Sequence, residues 1–153
     1  MPSKPRLRAA TEADLDAMTQ LIARLFALEP DFSFDPARVR RGLGLLLSKK
    51  EAAALWVAEQ DSQVIAMCSA QIVISTAEGG PVAWVEDLVV RPDQRGRGIG
   101  RLLLDAVTIW AKRRGLTRLQ LLADCENETA LGFYRHQGWQ ATRMICLRLR
   151  PGE

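Results

Sequence analysis

Gln94-Arg95-Gly96-Arg97-Gly98-Ile99-Gly100 follows an apolar run, Leu88-Val89-Val90, and opens a helical pattern that runs from Ile99 to Arg114. A glycine-rich turn between strand and helix leaves backbone N–H groups unpaired where the helix dipole is positive. Such a turn is an anion site, suited to phosphate or pyrophosphate. Arg95, Arg97 and Arg101 suit the same ligand, because a guanidinium pairs with phosphate through two parallel hydrogen bonds. A phosphorylated cofactor is therefore expected here. A P-loop would need Lys-Ser/Thr after its last glycine, and none is present. A dinucleotide fingerprint would use Gly96 and Gly98, but Arg101 stands where its third small residue belongs. Asp124 could serve as the ribose-binding acid of that reading, yet about thirty residues after it are too few for the missing βα units. A nucleotide-dependent oxidoreductase thus stays as the less favoured enzyme class.

The chain of 153 residues is expected to be one domain, 1–153, of ordinary composition. It is 48% hydrophobic and 25% charged, with a net charge of +3. Basic residues crowd the region from Arg91 to Arg118, and acids crowd from Glu12 to Asp35. That asymmetry suits an anionic cofactor at one place and a cationic substrate near another. No aromatic-interleaved basic run points to nucleic acid. No apolar stretch is long enough to span a bilayer and no signal-peptide core is visible, so a cytoplasmic location is expected. Cys68, Cys125 and Cys146 lack metal-ligand spacing, and His136 is the only histidine, so no metal is expected. Cys68 and Cys146 lie in apolar strand patterns and read as packed thiols.

The remaining pattern reads as strand Arg6–Ala9, a helix with the stripe Leu15, Met18, Ile22, Leu25 and Phe26, and a second helix from Asp35-Pro36 to about Leu47. Strands follow at Leu55–Glu59 and Val64–Ser75, joined at Gln60-Asp61-Ser62, and then at Val82–Val90. After the Ile99 helix come a strand, Thr117–Ala123, a helix capped by Asn127, and a last strand, Trp139–Leu149. The helix from Ile99 should connect parallel strands by a right-handed crossover, while the earlier hairpins are antiparallel. The expected class is α/β with a mixed sheet.

Two motifs now carry a resemblance. Arg95-Gly96-Arg97-Gly98-Ile99-Gly100 matches Gln/Arg-x-x-Gly-x-Gly/Ala. Asn127, Ala130, Phe133, Tyr134, Gly138 and Trp139 match Asn-x-x-Ala-x-x-Phe-Tyr-x-x-x-Gly-Phe/Trp. With the order of elements, they make the chain resemble the GCN5-related N-acetyltransferase (GNAT) superfamily, acetyl-CoA-dependent enzymes that carry a central mixed sheet with helices on both faces. The resemblance implies that Leu88, Val89 and Val90 hold the pantetheine arm on a splayed strand edge. It implies that residues Arg95 to Arg101, with Gly96, Arg97, Gly98, Ile99 and Gly100 among them, cradle the pyrophosphate, and that Asn127 lies near the pantetheine. Asn127 has an equal reading as a helix N-cap.

The reaction so implied is direct attack of an amine on the thioester, which needs a proton acceptor for the amine and a donor for the thiolate. Tyr134, the chain's one tyrosine, is the implied donor. Glu86 is the candidate acceptor. The pair Glu86-Asp87 resembles the corresponding strand of diamine acetyltransferases, and by strand alternation only one of the two should face the cleft. The loop from Phe26 to Asp35 mixes aromatic rings with carboxylates. Glu29, Asp31 and Phe32, with Asp87, are the expected binders of a cationic primary amine, with an equal reading in which Asp35 only caps the second helix while Phe32 and Phe34 plug the core. A GNAT-like module that binds acyl-CoA without turnover is the alternative, and a homodimer is compatible with either reading.

Overall fold

Arg6–Ala9 is β1, and it pairs antiparallel with Ala53–Gln60, β2. The computed structural model describes residues Met1–Glu153 and divides them into two compact units, Met1–Leu121 and Leu122–Glu153. In the first unit, Gln63–Ser75 (β3) and Gly80–Val90 (β4) extend the meander by antiparallel pairing. Asp61 and Ser62 turn the β2–β3 hairpin with φ of 49° and 63°, the left-handed pair a two-residue hairpin loop requires. The sheet order is β1-β2-β3-β4-β5, the last being Leu119–Gln120, parallel to β4 as expected for a strand reached through a helical crossover. The sheet is mixed.

Helices cover both faces of this sheet because side chains on a strand alternate. Leu15–Leu28 (α1) and Pro36–Ser48 (α2) lay Met18, Leu21, Ile22 and Leu43 against Leu55, Val57, Met67 and Val89, all buried. Trp56 points the other way and meets Trp110 of Ile99–Arg113 (α3) edge-to-face at 5.4 Å. Helix α3 buries Ile99, Leu103, Leu104, Val107 and Ala111, a stripe at helical spacing. The N-cap read from Asp35 is formed, since its carboxylate accepts from the amides of Ala37 at 3.0 Å and Arg38 at 3.2 Å.

One ion pair ties β1 to the turn that starts α1. Arg8 donates to both oxygens of Asp14, at 2.7 and 2.8 Å, and Asp14 also accepts from the Thr11 amide at 2.8 Å. The hydrogen bonds from Arg8 outweigh burial and hold the Asp14 carboxyl below the usual range. A carboxylate lowered on folding stabilises the fold above its unfolded pKa, and that contribution is lost as pH falls through the folded value.

The second unit contains Glu128–His136, α4. The Asn127 side chain accepts from the Ala130 amide at 3.1 Å, so its capping role is realised. Two strand expectations are corrected. The strand read at Thr117–Ala123 is only Leu119–Gln120, and Trp139–Leu149 forms no strand at all. Alternating apolar residues supply strand propensity, but a strand exists only where a neighbouring backbone accepts its ladder. In that tail Ile145 and Leu147 are 80% and 87% exposed, and Cys146 is exposed rather than packed. Cys68 is buried, as read from its strand.

Candidate active site

The site is built on β4. Its register against β3 shifts between the pairs Met67↔Val89 and Ser69↔Glu86, so two β4 residues, Asp87 and Leu88, oppose the single residue Cys68. This is a β-bulge, and Asp87 is its strained member, with φ of 55°. On a regular strand Glu86 and Asp87 would point to opposite faces. Here Ser69, the register partner of Glu86, has its hydroxyl 3.5 Å from Asp87 Oδ2 and donates to the Glu86 carbonyl at 3.1 Å. The bulge thus turns Asp87 toward the side of Ser69.

The two carboxylates sit in different environments. Glu86 is exposed, whereas Asp87 is partly covered and its pKa is pushed up to about 6. Burial is the main cause, followed by the negative charges of Glu86 and then Glu29. Glu29, on the α1–α2 loop, is thus a third carboxylate whose charge acts on Asp87. Burial, with the charge of Asp87, also pushes the Cys68 thiol up to about 12, which makes it an unreactive packed group.

Beyond the bulge, the other edge of β4 is free of strand partners. Pairing with β5 covers only Ala83↔Leu119 and Trp84↔Gln120, so Val85 to Val90 have no β5 neighbour. Leu88, Val89 and Val90 lie on this stretch, although the Val89 side chain is buried in the core on the α1–α2 face. The chain then makes a short 3₁₀ turn, Pro92–Gln94, and enters the glycine loop.

Gly96 and Gly98 adopt φ of 75° and 78°, a conformation that disfavours residues with a Cβ, and a Cβ built on either would meet open space. Gly98 is the N-cap of α3 and has no side chain to satisfy the first amides. Those amides are left to an outside acceptor. Around them the arginines differ. Arg91 is neutralised by Asp93, with contacts of 2.6 and 2.9 Å. Arg95 donates to the Val90 carbonyl at 3.2 Å and Arg97 to Gln94 Oε1 at 2.6 Å, both neutral partners. Arg101 reaches Asp105 at 3.9 Å across one helical turn. A surface pocket of about 440 Å³ adjoins this loop on the β2–β3 hairpin side, with Gln60, Asp61, Arg95 and Arg97 among its lining. It lies across β4 from the unpaired edge.

The other expected residues are distributed as follows. Phe32 stacks on Phe26 with ring centroids 5.0 Å apart, and Asp31 is exposed on the same loop. Within the second unit, Tyr134 contacts Phe133 at 5.3 Å and Trp139 at 6.0 Å, both edge-on. No group of three or more His, Cys, Asp or Glu side chains is arranged to hold a metal ion. No helix is long and apolar enough to cross a membrane. The sequence reading missed Ser69 and the bulge. Their one visible signal is a pair of carboxylates inside an otherwise apolar strand.

Comparison with known proteins gives this geometry its family. The acetyltransferase (GNAT) family matches residues 15–139, and the chain belongs to it. Aminoglycoside N(6')-acetyltransferase type 1 of Stenotrophomonas maltophilia is 29% identical over 99% of this chain and 96% of its own length. Mycothiol acetyltransferase of Beutenbergia cavernae is 31% identical over 91% of the chain. Among solved structures, the apo aminoglycoside 6'-N-acetyltransferase AAC(6')-IG of Acinetobacter haemolyticus superimposes with a TM-score of 0.80 at 26% identity, over 95% of this chain and 97% of that one. Some relatives are longer. The chain spans 46% of the mycothiol enzyme and 62% of an uncharacterized N-acetyltransferase of Methanocaldococcus jannaschii. The chain's α/β mixed sheet is the fold that membership of this family predicts.

Proposed function

We propose that this acetyltransferase moves an acetyl group from acetyl-CoA to the primary amine of a small cationic acceptor, by direct attack and without a metal. The observation that carries the acceptor class is that the negative charges of Glu86 and Glu29 both act on Asp87 at the β4 bulge. Carboxylates whose negative charges act on one another attract a cation, and aromatic side chains such as Phe32 suit its ammonium or alkyl chain. Relatives named for aminoglycosides, which are polycationic amines, support the same class.

For the donor, the unpaired β4 edge beside Leu88, Val89 and Val90 offers hydrogen bonds to the pantetheine arm, as a sheet does to an added strand. The amides of Gly96, Gly98, Ile99, Gly100 and Arg101 suit the pyrophosphate, with the charges of Arg95 and Arg97 beside them. Asn127 is committed to capping α4, so any contact it makes with the donor is through the carboxamide atoms left over. Tyr134 is assigned the proton donation to the departing thiolate, and a carboxylate of the Glu86–Asp87 pair the proton acceptance. A cytoplasmic enzyme, alone or as a homodimer, fits this reading.

The acceptor is tested with a panel of polyamines, aminoglycosides, basic peptides and neutral amines, following CoA release. Cationic acceptors should turn over, and Glu29→Gln should raise their KM several-fold, the scale set by about 1 kcal/mol for one charge contact. Turnover confined to neutral or acidic amines would overturn the assignment of a cationic acceptor. CoA binding without turnover of any amine would favour a non-catalytic module.

A further inference from the structure

Resting on the acetyl-transfer reading, we infer that Asp87, rather than the adjacent Glu86, takes the proton from the acceptor's ammonium, while Glu86 and Glu29 hold its charge. The inference rests on geometry that strand alternation does not provide. The bulge sets the Asp87 backbone at φ of 55° and brings its carboxylate to the Ser69 hydroxyl, beside buried Cys68. The charges that act on the group are those of Glu86 on β4 and Glu29 on the α1–α2 loop. From β3 it meets only Ser69 and the thiol of Cys68. No guanidinium or ammonium acts on it.

That environment separates the roles of the two carboxylates. A proton acceptor works best when its affinity for protons lies near the operating pH. Asp87 meets this condition through burial and two like charges, with a pKa near 6. Glu86 is exposed, and a solvated carboxylate is suited to attracting a cation rather than to removing its proton.

The substrate ammonium gives one proton to the Asp87 carboxylate, which later passes it to water. The free amine's lone pair forms the N–C bond at the thioester carbon. The C–S bond breaks with its electron pair on sulfur, Tyr134 protonates that sulfur, and the proton leaving nitrogen restores Tyr134. One amide, one thiol and one released proton result.

The test is kcat/KM against pH, from about 5 to 8, with spermidine, whose ammonium groups titrate above this range. Wild-type protein that acetylates no amine at any pH would sink the acetyl-transfer reading itself. Given turnover, wild-type kcat/KM should rise through an inflection near 6. Asp87→Asn should lose about 10²–10⁴-fold near neutral pH together with the inflection. Asparagine tolerates the left-handed backbone, so a circular dichroism spectrum and Tm like those of the wild type are expected for the variant. Glu86→Gln and Glu29→Gln should instead raise KM and move the inflection to lower pH, because each removes a like charge from Asp87. Asp87→Asn that keeps the inflection, or Glu86→Gln that abolishes it, would overturn the assignment. Loss of both activity and fold in Asp87→Asn is separated by Asp87→Glu, which should restore a pH-dependent rate if Asp87 accepts the proton. If Asp87→Glu folds but stays inactive, the assignment also fails.

Discussion

Gly98→Asp is expected to abolish acetyl-CoA binding while leaving the protein folded. Gly98 stands at the N-cap of α3 with φ of 78°, and a new side chain there would project into open space. Aspartate tolerates this backbone better than most residues, and a carboxylate at a helix N-terminus is itself favourable. The fold therefore survives for the same reason that binding fails. The new carboxylate takes the amides meant for the pyrophosphate and repels its charge. Wild-type protein should gain Tm with acetyl-CoA, by about 2.7 kcal/mol of stability at a hundredfold excess over Kd. The variant should gain nothing, and a wild-type-like shift in it would remove the glycine loop from the cofactor site.

Tyr134→Phe is expected to lower kcat by about 10²–10⁴-fold, equivalent to roughly 3–5 kcal/mol of lost transition-state stabilisation. The substitution keeps the ring that packs on Phe133 and Trp139, so α4 and acetyl-CoA affinity should change little. A proton donor to the leaving thiolate acts only in the transition state, and its loss appears in kcat rather than KM. Steady-state kinetics with thiol detection measures this. Turnover equal to the wild type would leave Tyr134 as a packing residue.

Much of this was legible in the sequence because it is local. A glycine pair between an apolar strand and a periodic helix fixes the loop that contains Gly96 and Gly98. Asp35-Pro36 and Asn127 announce their helices by capping chemistry, which acts over three residues. The stripe Leu15, Met18 and Ile22 follows helical period alone. What was not legible depends on pairing between distant strands. Alternation assigns Glu86 and Asp87 to opposite faces, and nothing in β4 itself shows that Cys68 of β3 opposes two residues. The bulge arises from register, and register is a property of two strands. The same reason limits β5 to Leu119–Gln120 and leaves Trp139–Leu149 unpaired, since alternation cannot report whether a ladder partner is present.

Acetyl transfer from acetyl-CoA to a cationic amine leaves two products. The most direct measurement incubates the protein with acetyl-CoA and a polyamine or aminoglycoside, and follows both products by mass spectrometry. N-acetylated amine and free CoA are expected in equal amounts, formed by the wild type and not by Gly98→Asp. Release of CoA without acetylated amine, or acetylation that Gly98→Asp sustains at the wild-type rate, would contradict it.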